Sequence, residues 1–147
     1  MARVPALRRR RGKNMYPVIH ENDVYEKAVP GRFLRWVVDK KDGLDGKFCS
    51  CCIMRVEPGS TVNPAHCHPQ GEEMLYILDG HGKVYIDGII YPFEAGSVVL
   101  FEQGKIHMVR NTGEKELKVA CFFAPATDLD SYEYHPEVDF DSGKPAE

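Results

Sequence analysis

A regular alternation of short β-prone runs and tight-turn residues, from Arg32 onward, most constrains what this chain can fold into. Its clearest instance is KVYIDGIIY, residues 83–91, in which two apolar runs flank Asp87-Gly88. That pair suits a two-residue type I′ turn, because both turn residues need a positive φ. Comparable runs recur about every 8 to 12 residues, and none has a helical period. The pattern predicts an all-β antiparallel sandwich or barrel. The predicted strands cover residues 32–38, 47–56, 73–80, 83–91 (the hairpin), 97–101, 106–111 and 117–123.

Length and composition predict one domain with an extension at each end. The chain has 147 residues, of which 43% are hydrophobic and 28% charged, the balance of one ordinary globular domain. In the C-terminal part we expect Tyr132, Tyr134 and Phe140 to pack on the barrel, and the last residues to be loose. The expected parts are a disordered basic leader at 1–14, a β-barrel domain at 15–125 and an acidic C-terminal extension at 126–147.

Charge is unevenly distributed along the chain. Residues 1–14 contain six basic residues and no acidic one, so the formal net charge of −3 divides into +6 for this leader and −9 for the rest. A basic arm can bind nucleic acid, but the acidic body argues against nucleic acid as the main partner. No apolar run reaches the roughly 18 residues that a membrane-spanning helix needs. We therefore expect neither a nucleic-acid partner nor a membrane partner.

The cysteines predict a reducing, cytoplasmic environment. An odd number of them without a secretory leader pattern favours free thiols over a disulfide framework. In CSCC, residues 49–52, strand alternation places Cys49 and Cys51 on one face and Cys52 on the other, so the three cannot converge on one ion. Cys121 shares a strand face with apolar neighbours and is expected to line the barrel interior. The five predicted free thiols are Cys49, Cys51, Cys52, Cys67 and Cys121.

The stretch HCHPQGEE, residues 66–73, gathers nitrogen and oxygen donors in very little sequence. On a strand, residues i and i+2 share a face, so His66 and His68 can point to one place while Cys67 faces away. If the chain turns after His68, the next strand runs back beside the first and brings a glutamate to the imidazoles. His107, within GKIHMVRN on a later strand, is a fourth donor. Three imidazoles and one carboxylate suit iron, manganese, nickel, cobalt or zinc.

The donors fall within segments that resemble the two motifs of the cupin superfamily. In the first segment Gly59 is followed by six residues, His-Cys-His, four residues, Glu73, six residues and Gly80. The family pattern has five residues in the first of these intervals, so this chain carries one extra. Counting back six residues from Gly80 selects Glu73 over Glu72 as the motif glutamate.

The second segment completes the resemblance. Gly96 is followed by five residues, Glu-Gln-Gly, two residues, His107, three residues and Asn111. Glu102 stands where the family has a proline, and no ligand position is affected. The resemblance implies a double-stranded β-helix, or jelly-roll, barrel that is a homodimer and binds a small molecule. It also implies one divalent transition metal inside the open end, held by His66, His68, Glu73 and His107.

The expected ligand set indicates what the protein does. Three nitrogen ligands and one oxygen ligand leave one or two coordination positions open, as in catalytic metal sites. We expect a metalloenzyme acting on a small polar oxygenated substrate: an isomerase or lyase of sugars or carboxylic acids, or a dioxygenase. The alternative is a non-catalytic sensor module that binds a small ligand, and a purely structural role is a third reading. No motif identifies an acid–base residue, and the candidates are Tyr76, Tyr85, Arg55, Glu102 and Glu72.

Overall fold

The computed structural model describes residues 9–10, 13–14 and 17–147, of which about half lie in β-strands. The rest of the predicted leader at 1–14 lies outside the described residues, and the two described pieces form a short antiparallel pair. In the described part of the chain, no helix is long and apolar enough to cross a membrane. Short 3₁₀ helices lie at Glu21–Asp23, Leu129–Ser131 and Phe140–Ser142. The strands are β1 (Arg9–Arg10), β2 (Lys13–Asn14), β3 (Lys27–Val29), β4 (Arg32–Val38), β5 (Ser50–Val56), β6 (Ala65–Cys67), β7 (Glu72–Asp79), β8 (His81–Ile86), β9 (Ile89–Glu94), β10 (Val98–Phe101), β11 (His107–Asn111), β12 (Leu117–Ala124), β13 (Glu133–His135) and β14 (Lys144–Pro145).

Two six-stranded sheets form the body of the described chain. The first sheet has the strand order β10-β7-β12-β5-β4-β3, and the second has the order β13-β6-β11-β8-β9-β14. One cluster of buried side chains spans both sheets, with Trp36, Leu75 and Phe123 from the first and Val84 and Val109 from the second. Trp36 stacks on Phe123 with ring centroids 5.4 Å apart. The all-β barrel predicted from the sequence is confirmed, and its core lies between the sheets.

Side-chain alternation along β7 decides what faces that core. Leu75 and Ile77 are fully buried, and Glu73 points to the same side, whereas Glu72 and Met74 are exposed. Each fully buried Leu or Ile contributes about 1.5–3 kcal/mol relative to an exposed one. A slip of the register by one residue would expose both apolar side chains and turn Glu73 outward. Burial of Leu75 and Ile77 therefore fixes the register of β7, and this register points the charged side chain of Glu73 into the core.

The hairpin predicted at residues 83–91 is present. Strands β8 and β9 pair antiparallel up to Ile86 and Ile89, with Asp87 and Gly88 between them. Both turn residues have a positive φ, 45° for Asp87 and 91° for Gly88, as a type I′ turn requires. A Cβ added to Gly88 would meet no atom within 4 Å, so the preference for glycine there is purely conformational.

The C-terminal segment completes the second sheet at both of its edges. Strand β13 pairs with β6, and β14 pairs in parallel with β9. Phe140 is buried against Ala65, Tyr85 and Met108, as expected from its aromatic character. The expectation that the last residues are loose is wrong for residues 144–146, because the Lys144 N–H donates to the Gly88 oxygen and the Ala146 N–H donates to the Ile90 oxygen.

Candidate functional site

Strand β6 presents two imidazoles to the barrel interior. His66 lies within the strand and His68 follows directly after it, so alternation directs both inward and Cys67 outward. His107 lies on the neighbouring strand β11, directly opposite His66 in the antiparallel register. The ring centroids of His66 and His107 are 4.6 Å apart, and those of His68 and His107 are 5.0 Å apart. The three imidazoles therefore line one small region of the second sheet.

Glu73 reaches this region from the opposite sheet. The sequence predicted that the strand bearing Glu73 would run beside β6, but β7 belongs to the first sheet, so that expectation is wrong. The turn after His68 instead carries the chain across the barrel, and Glu73 points inward. Its Oε2 lies 2.8 Å from His68 Nε2 and 3.2 Å from His107 Nε2. The choice of Glu73 over Glu72 agrees with this geometry, because Glu72 is exposed.

The four side chains form a closed donor group. Each is between 2% and 6% exposed, and their ligand atoms all lie within 4.8 Å of one another. Backbone carbonyls hold two of the rings: His66 Nδ1 lies 3.1 Å from the Pro64 oxygen, and His107 Nδ1 lies 2.9 Å from the Lys105 oxygen. A hydrogen bond of this kind places the proton on Nδ1 and leaves Nε2 as the free donor atom.

The electrostatics of the group favour the protonation states that a metal needs. Burial alone would raise the pKa of Glu73, but contacts with His107 and His68 outweigh it and hold that pKa well below its usual range. Burial, followed by the neighbouring His107, lowers the pKa of His66 well below its usual value. An ionised carboxylate and a neutral imidazole result, and these are the forms that bind metal ions.

The residues present fit a divalent metal ion. His107 Nε2 is fully buried and makes no hydrogen bond among the described residues, although Glu73 Oε2 is only 3.2 Å away. A buried polar atom without a hydrogen bond is rare unless an ion or another ligand serves it. Three imidazole nitrogens and one carboxylate oxygen are donors that suit borderline divalent ions.

A narrow cavity adjoins the donor group. Its volume is about 20 Å³, close to the room that one water molecule needs. Tyr132 closes one side, stacking on His66 with ring centroids 4.9 Å apart and meeting His68 edge-on at 4.5 Å. Cys121 and Arg32 also line it, so the expectation that Cys121 faces the barrel interior is confirmed. A second cavity of about 260 Å³ touches the group at His68 and is otherwise lined mainly by residues of the loops at 69–71 and 125–127.

Arg32 and Tyr132 were not predicted as site residues. A signal for Arg32 was present, because alternation in RFLRWVV puts positions 32, 34 and 36 on one face, and Leu34 and Trp36 are plainly core residues. Arg32 is only 6% exposed. No comparable signal exists for Tyr132, since it lies in an irregular segment and reaches the site only through long-range pairing of β13.

The other predicted candidates lie away from the donor group. Tyr76 is exposed on the outer face of β7, Glu102 is exposed, and Tyr85 is buried in the separate cluster around Phe140. Arg55 pairs with Glu26 and Glu116. Glu72 lines the larger cavity but points away from the imidazoles. All five cysteines are free thiols, as predicted.

The comparison with known families decides the classification. The model of the cupin domain family matches residues 52–123, which contain all four donor residues. The chain belongs to the cupin superfamily. A protein with a double-stranded β-helix domain from Klebsiella pneumoniae superposes on this cupin with a TM-score of 0.65 at 16% identity, covering 81% of this chain and 96% of that one. The predicted double-stranded β-helix fold is thereby confirmed.

Two curated relatives of this cupin carry names that refer to oxalate. A probable oxalate decarboxylase of Arthroderma benhamiae is 35% identical over 111 residues, which are 71% of this chain and 27% of that protein. An oxalate-binding protein of Thermotoga maritima is 33% identical over 78 residues, which are 53% of this chain and 64% of that protein. The cupin thus spans about a quarter of the decarboxylase and about two thirds of the binding protein.

Proposed function

We propose that this cupin is a metalloenzyme acting on small carboxylic acids. The divalent ion is held by His66, His68, Glu73 and His107, and Arg32 binds a carboxylate of the substrate. Arg32 carries the proposal, because its guanidinium is buried beside the donor group without an acidic partner among the described residues. The oxalate-related names of two relatives support the same class of substrate.

The surroundings of Arg32 explain why an anionic substrate is favoured. The residue begins β4 and lines the same narrow cavity as His66, Glu73 and His107. Its Nη1 donates a hydrogen bond of 3.3 Å to the Pro30 carbonyl oxygen, and no ion pair of Arg32 occurs among the described residues. A buried charge is strongly disfavoured unless it is paired. A substrate carboxylate can supply that pair through two parallel hydrogen bonds.

The chemistry follows from how these residues would treat a bound acid. When bound, the divalent ion polarises a carboxylate or carbonyl oxygen of the substrate. Arg32 orients the other end of the acid, and the Tyr132 ring excludes water. Burial, and after it the charge of Glu73, raises the pKa of Tyr132 well above its usual value, so its hydroxyl keeps its proton at neutral pH. The protonated Tyr132 therefore adds no negative charge beside a bound acid, and the reaction class we favour is that of a lyase or isomerase.

The test combines metal analysis with turnover. We expect protein purified without added metal to contain a divalent transition metal and to convert at least one member of a panel of oxalate, small keto acids and sugar acids. Product formation without oxygen uptake supports a lyase or isomerase, and stoichiometric uptake shows a dioxygenase instead. A protein that contains no such metal, or is equally active after the metal is removed, contradicts the proposal.

The variant Arg32→Gln tests the carboxylate-binding role. We expect KM for the converted acid to rise at least about tenfold with the metal content unchanged, because a charge-assisted pair is lost. Arg35→Gln is the matched control: Arg35 lies on the same strand but faces outward and pairs with Glu26. An unchanged KM in Arg32→Gln would exclude this role for Arg32.

A binding module without catalysis is the second candidate. One relative favours it, because that relative is named an oxalate-binding protein. In this case calorimetry on the metal-loaded protein should show saturable binding of a small acid, with none of the acids in the panel converted. Conversion of the bound acid would rule the candidate out.

A further inference from the structure

We propose that Cys67, Glu133 and His135 form a second metal site, on the outer side of strand β6, that binds a zinc-like divalent ion. Cys67 separates His66 from His68 in the sequence and points to the opposite face of the strand. The two donor groups therefore lie back to back on one strand. The outer group uses none of the four residues of the inner one, so the proposal does not depend on the function proposed above.

Strand pairing brings the three side chains together. In the antiparallel register between β13 and β6, Glu133 lies directly opposite Cys67, and His135 lies opposite Ala65. Glu133 and His135 are two residues apart and share a face, so both side chains lie beside the thiol. The ligand atoms of Cys67, Glu133 and His135 all lie within 4.8 Å of one another. Glu133 is 57% exposed at its side chain, which gives an ion access from solvent.

The separations between the donor atoms match those around a tetrahedral zinc ion. Cys67 Sγ lies 3.7 Å from His135 Nε2 and 3.8 Å from Glu133 Oε1, and that nitrogen and oxygen are 3.0 Å apart. Bonds of about 2.3 Å to sulfur and about 2.0–2.1 Å to nitrogen and oxygen would place sulfur about 3.5 Å from each, and nitrogen about 3.3 Å from oxygen. Shifts of a few tenths of an ångström would complete three ligands, with a water molecule as the fourth.

A further carboxylate orients the histidine of this group. Glu137 Oε1 lies 3.2 Å from His135 Nδ1, so His135 can donate its Nδ1 proton to Glu137 and direct Nε2 toward the thiol. This carboxylate–histidine arrangement is the usual support of a metal-bound imidazole. A simple surface ion pair between Glu133 and His135 would not require the buried thiol of Cys67 or the second carboxylate of Glu137, so these two groups favour a metal site.

The consequence of such a site is mechanical. An ion bound to Cys67, Glu133 and His135 cross-links β13 to β6, and β13 is only three residues long. Tyr132 directly precedes β13 and covers His66 and His68. A metal ion bound to Cys67, Glu133 and His135 would therefore hold Tyr132 in place over His66 and His68.

Cobalt(II) distinguishes the two groups spectroscopically, because the inner donor set contains no sulfur. We expect Co²⁺ added to the metal-free full-length chain to give a near-ultraviolet sulfur-to-cobalt charge-transfer absorption that is complete by two equivalents per chain, one for each donor group. Cys67→Ser should abolish this absorption, and His135→Gln and Glu137→Gln should each weaken the cobalt affinity about tenfold or more. His107→Ala should keep the absorption, so failure of the inner site and failure of the outer site are told apart.

Cys49→Ser is the matched control, since Cys49 is an exposed thiol outside this cluster, and it should leave the absorption unchanged. Three results would overturn the proposal: no charge-transfer absorption in the unmodified chain, an absorption that survives Cys67→Ser, or undiminished affinity in His135→Gln. The His135→Gln result stands alone if Cys67→Ser does not fold.

Discussion

Glu72 and Glu73 are adjacent carboxylates with opposite surroundings. Glu73 is 6% exposed and contacts His68 and His107, whereas Glu72 is exposed on the other face of β7. The two residues are chemically identical and differ only in the strand face on which they lie. Comparing variants at the two positions therefore isolates the effect of position.

Replacing Glu73 should therefore abolish tight metal binding while replacing Glu72 does not. We expect Glu73→Gln to lower the affinity for the divalent ion at least about tenfold, because a neutral amide no longer supplies the anionic ligand. Glu72→Gln should keep the affinity of the unmodified protein. Metal content after dialysis against a weak chelator measures both variants, and equal retention by the two would contradict the assignment of Glu73.

The sequence predicts site residues where a short spacing encodes their direction. His66, His68 and Glu73 could be chosen because alternation on a strand fixes which side chains face inward, and the structure brings them together with His107. Tyr132 could not be chosen, since nothing local records that its segment returns to β6. Arg32 is an intermediate case. Alternation indicated that its side chain points inward, but charged residues are rarely fully buried, so it was not predicted as a site residue.

At the scale of elements, one glutamate ties the segment before β3 to two strands of the first sheet. Glu26 Oε1 lies 2.5 Å from Arg55 Nη2 on β5, and its Oε2 lies 3.0 Å from Arg35 Nε on β4. The hydrogen bond from Arg55 is the largest influence and, against the opposing effect of burial, lowers the pKa of Glu26 from 4.5 to about 2. The ionised carboxylate is thus favoured in the folded state.

This pairing should make stability depend on acid pH. A carboxyl with a lowered folded pKa contributes stability above its unfolded pKa, and the contribution is lost as pH falls toward the folded value, here between about 5 and 2. After screening by solvent we expect about 1–2 kcal/mol. Urea denaturation should show Glu26→Gln less stable than the unmodified chain at pH 6, with the difference shrinking by pH 2. Glu57→Gln, at an exposed glutamate, is the control, and a difference that is constant with pH would refute the role of Glu26.

Element order was easier to predict than strand partnership. The hairpin β8–β9 was predicted with its turn, because both are local in sequence. The relation of β6 to β7 was not, since a short turn can either reverse a strand within a sheet or carry the chain to the facing sheet. Strand β7 belongs to the first sheet because it pairs there with β10 and β12, which both follow β6 in the sequence. The same limit applies to β13 and β14, whose partners lie far back in the chain.

At the scale of the whole molecule, the outer face of the first sheet is unusually apolar. Large side chains on three neighbouring strands are each at least 40% exposed, and cross-strand pairing brings Leu100, Met74 and Phe122 into one row. Contiguous exposed apolar patches commonly mark protein interfaces. The apolar face consists of Met74, Tyr76, Leu78, Val98, Leu100 and Phe122.

We expect this apolar face to be the contact of the homodimer predicted from the sequence. A charge at its centre would remain unpaired in the interface, so Leu100→Glu should shift the molar mass from dimer to monomer in light scattering coupled to size-exclusion chromatography. Phe48→Glu is the control, because Phe48 is 76% exposed and does not belong to that face. A monomeric unmodified chain, or a dimer that tolerates Leu100→Glu, would exclude this contact.

Tyr132, which covers His66 and His68, is synthesised after the residues that it covers. All four inner donors have been synthesised once the chain reaches residue 107, whereas Tyr132 and the edge strands β13 and β14 follow later in the sequence. Proteins form their N-terminal parts first during synthesis. The ion proposed for the inner donors therefore has access to them before Tyr132 has been synthesised. If the proposed ion binds at that stage, loading precedes sealing, and the ion is enclosed only once Tyr132 packs over the inner donors.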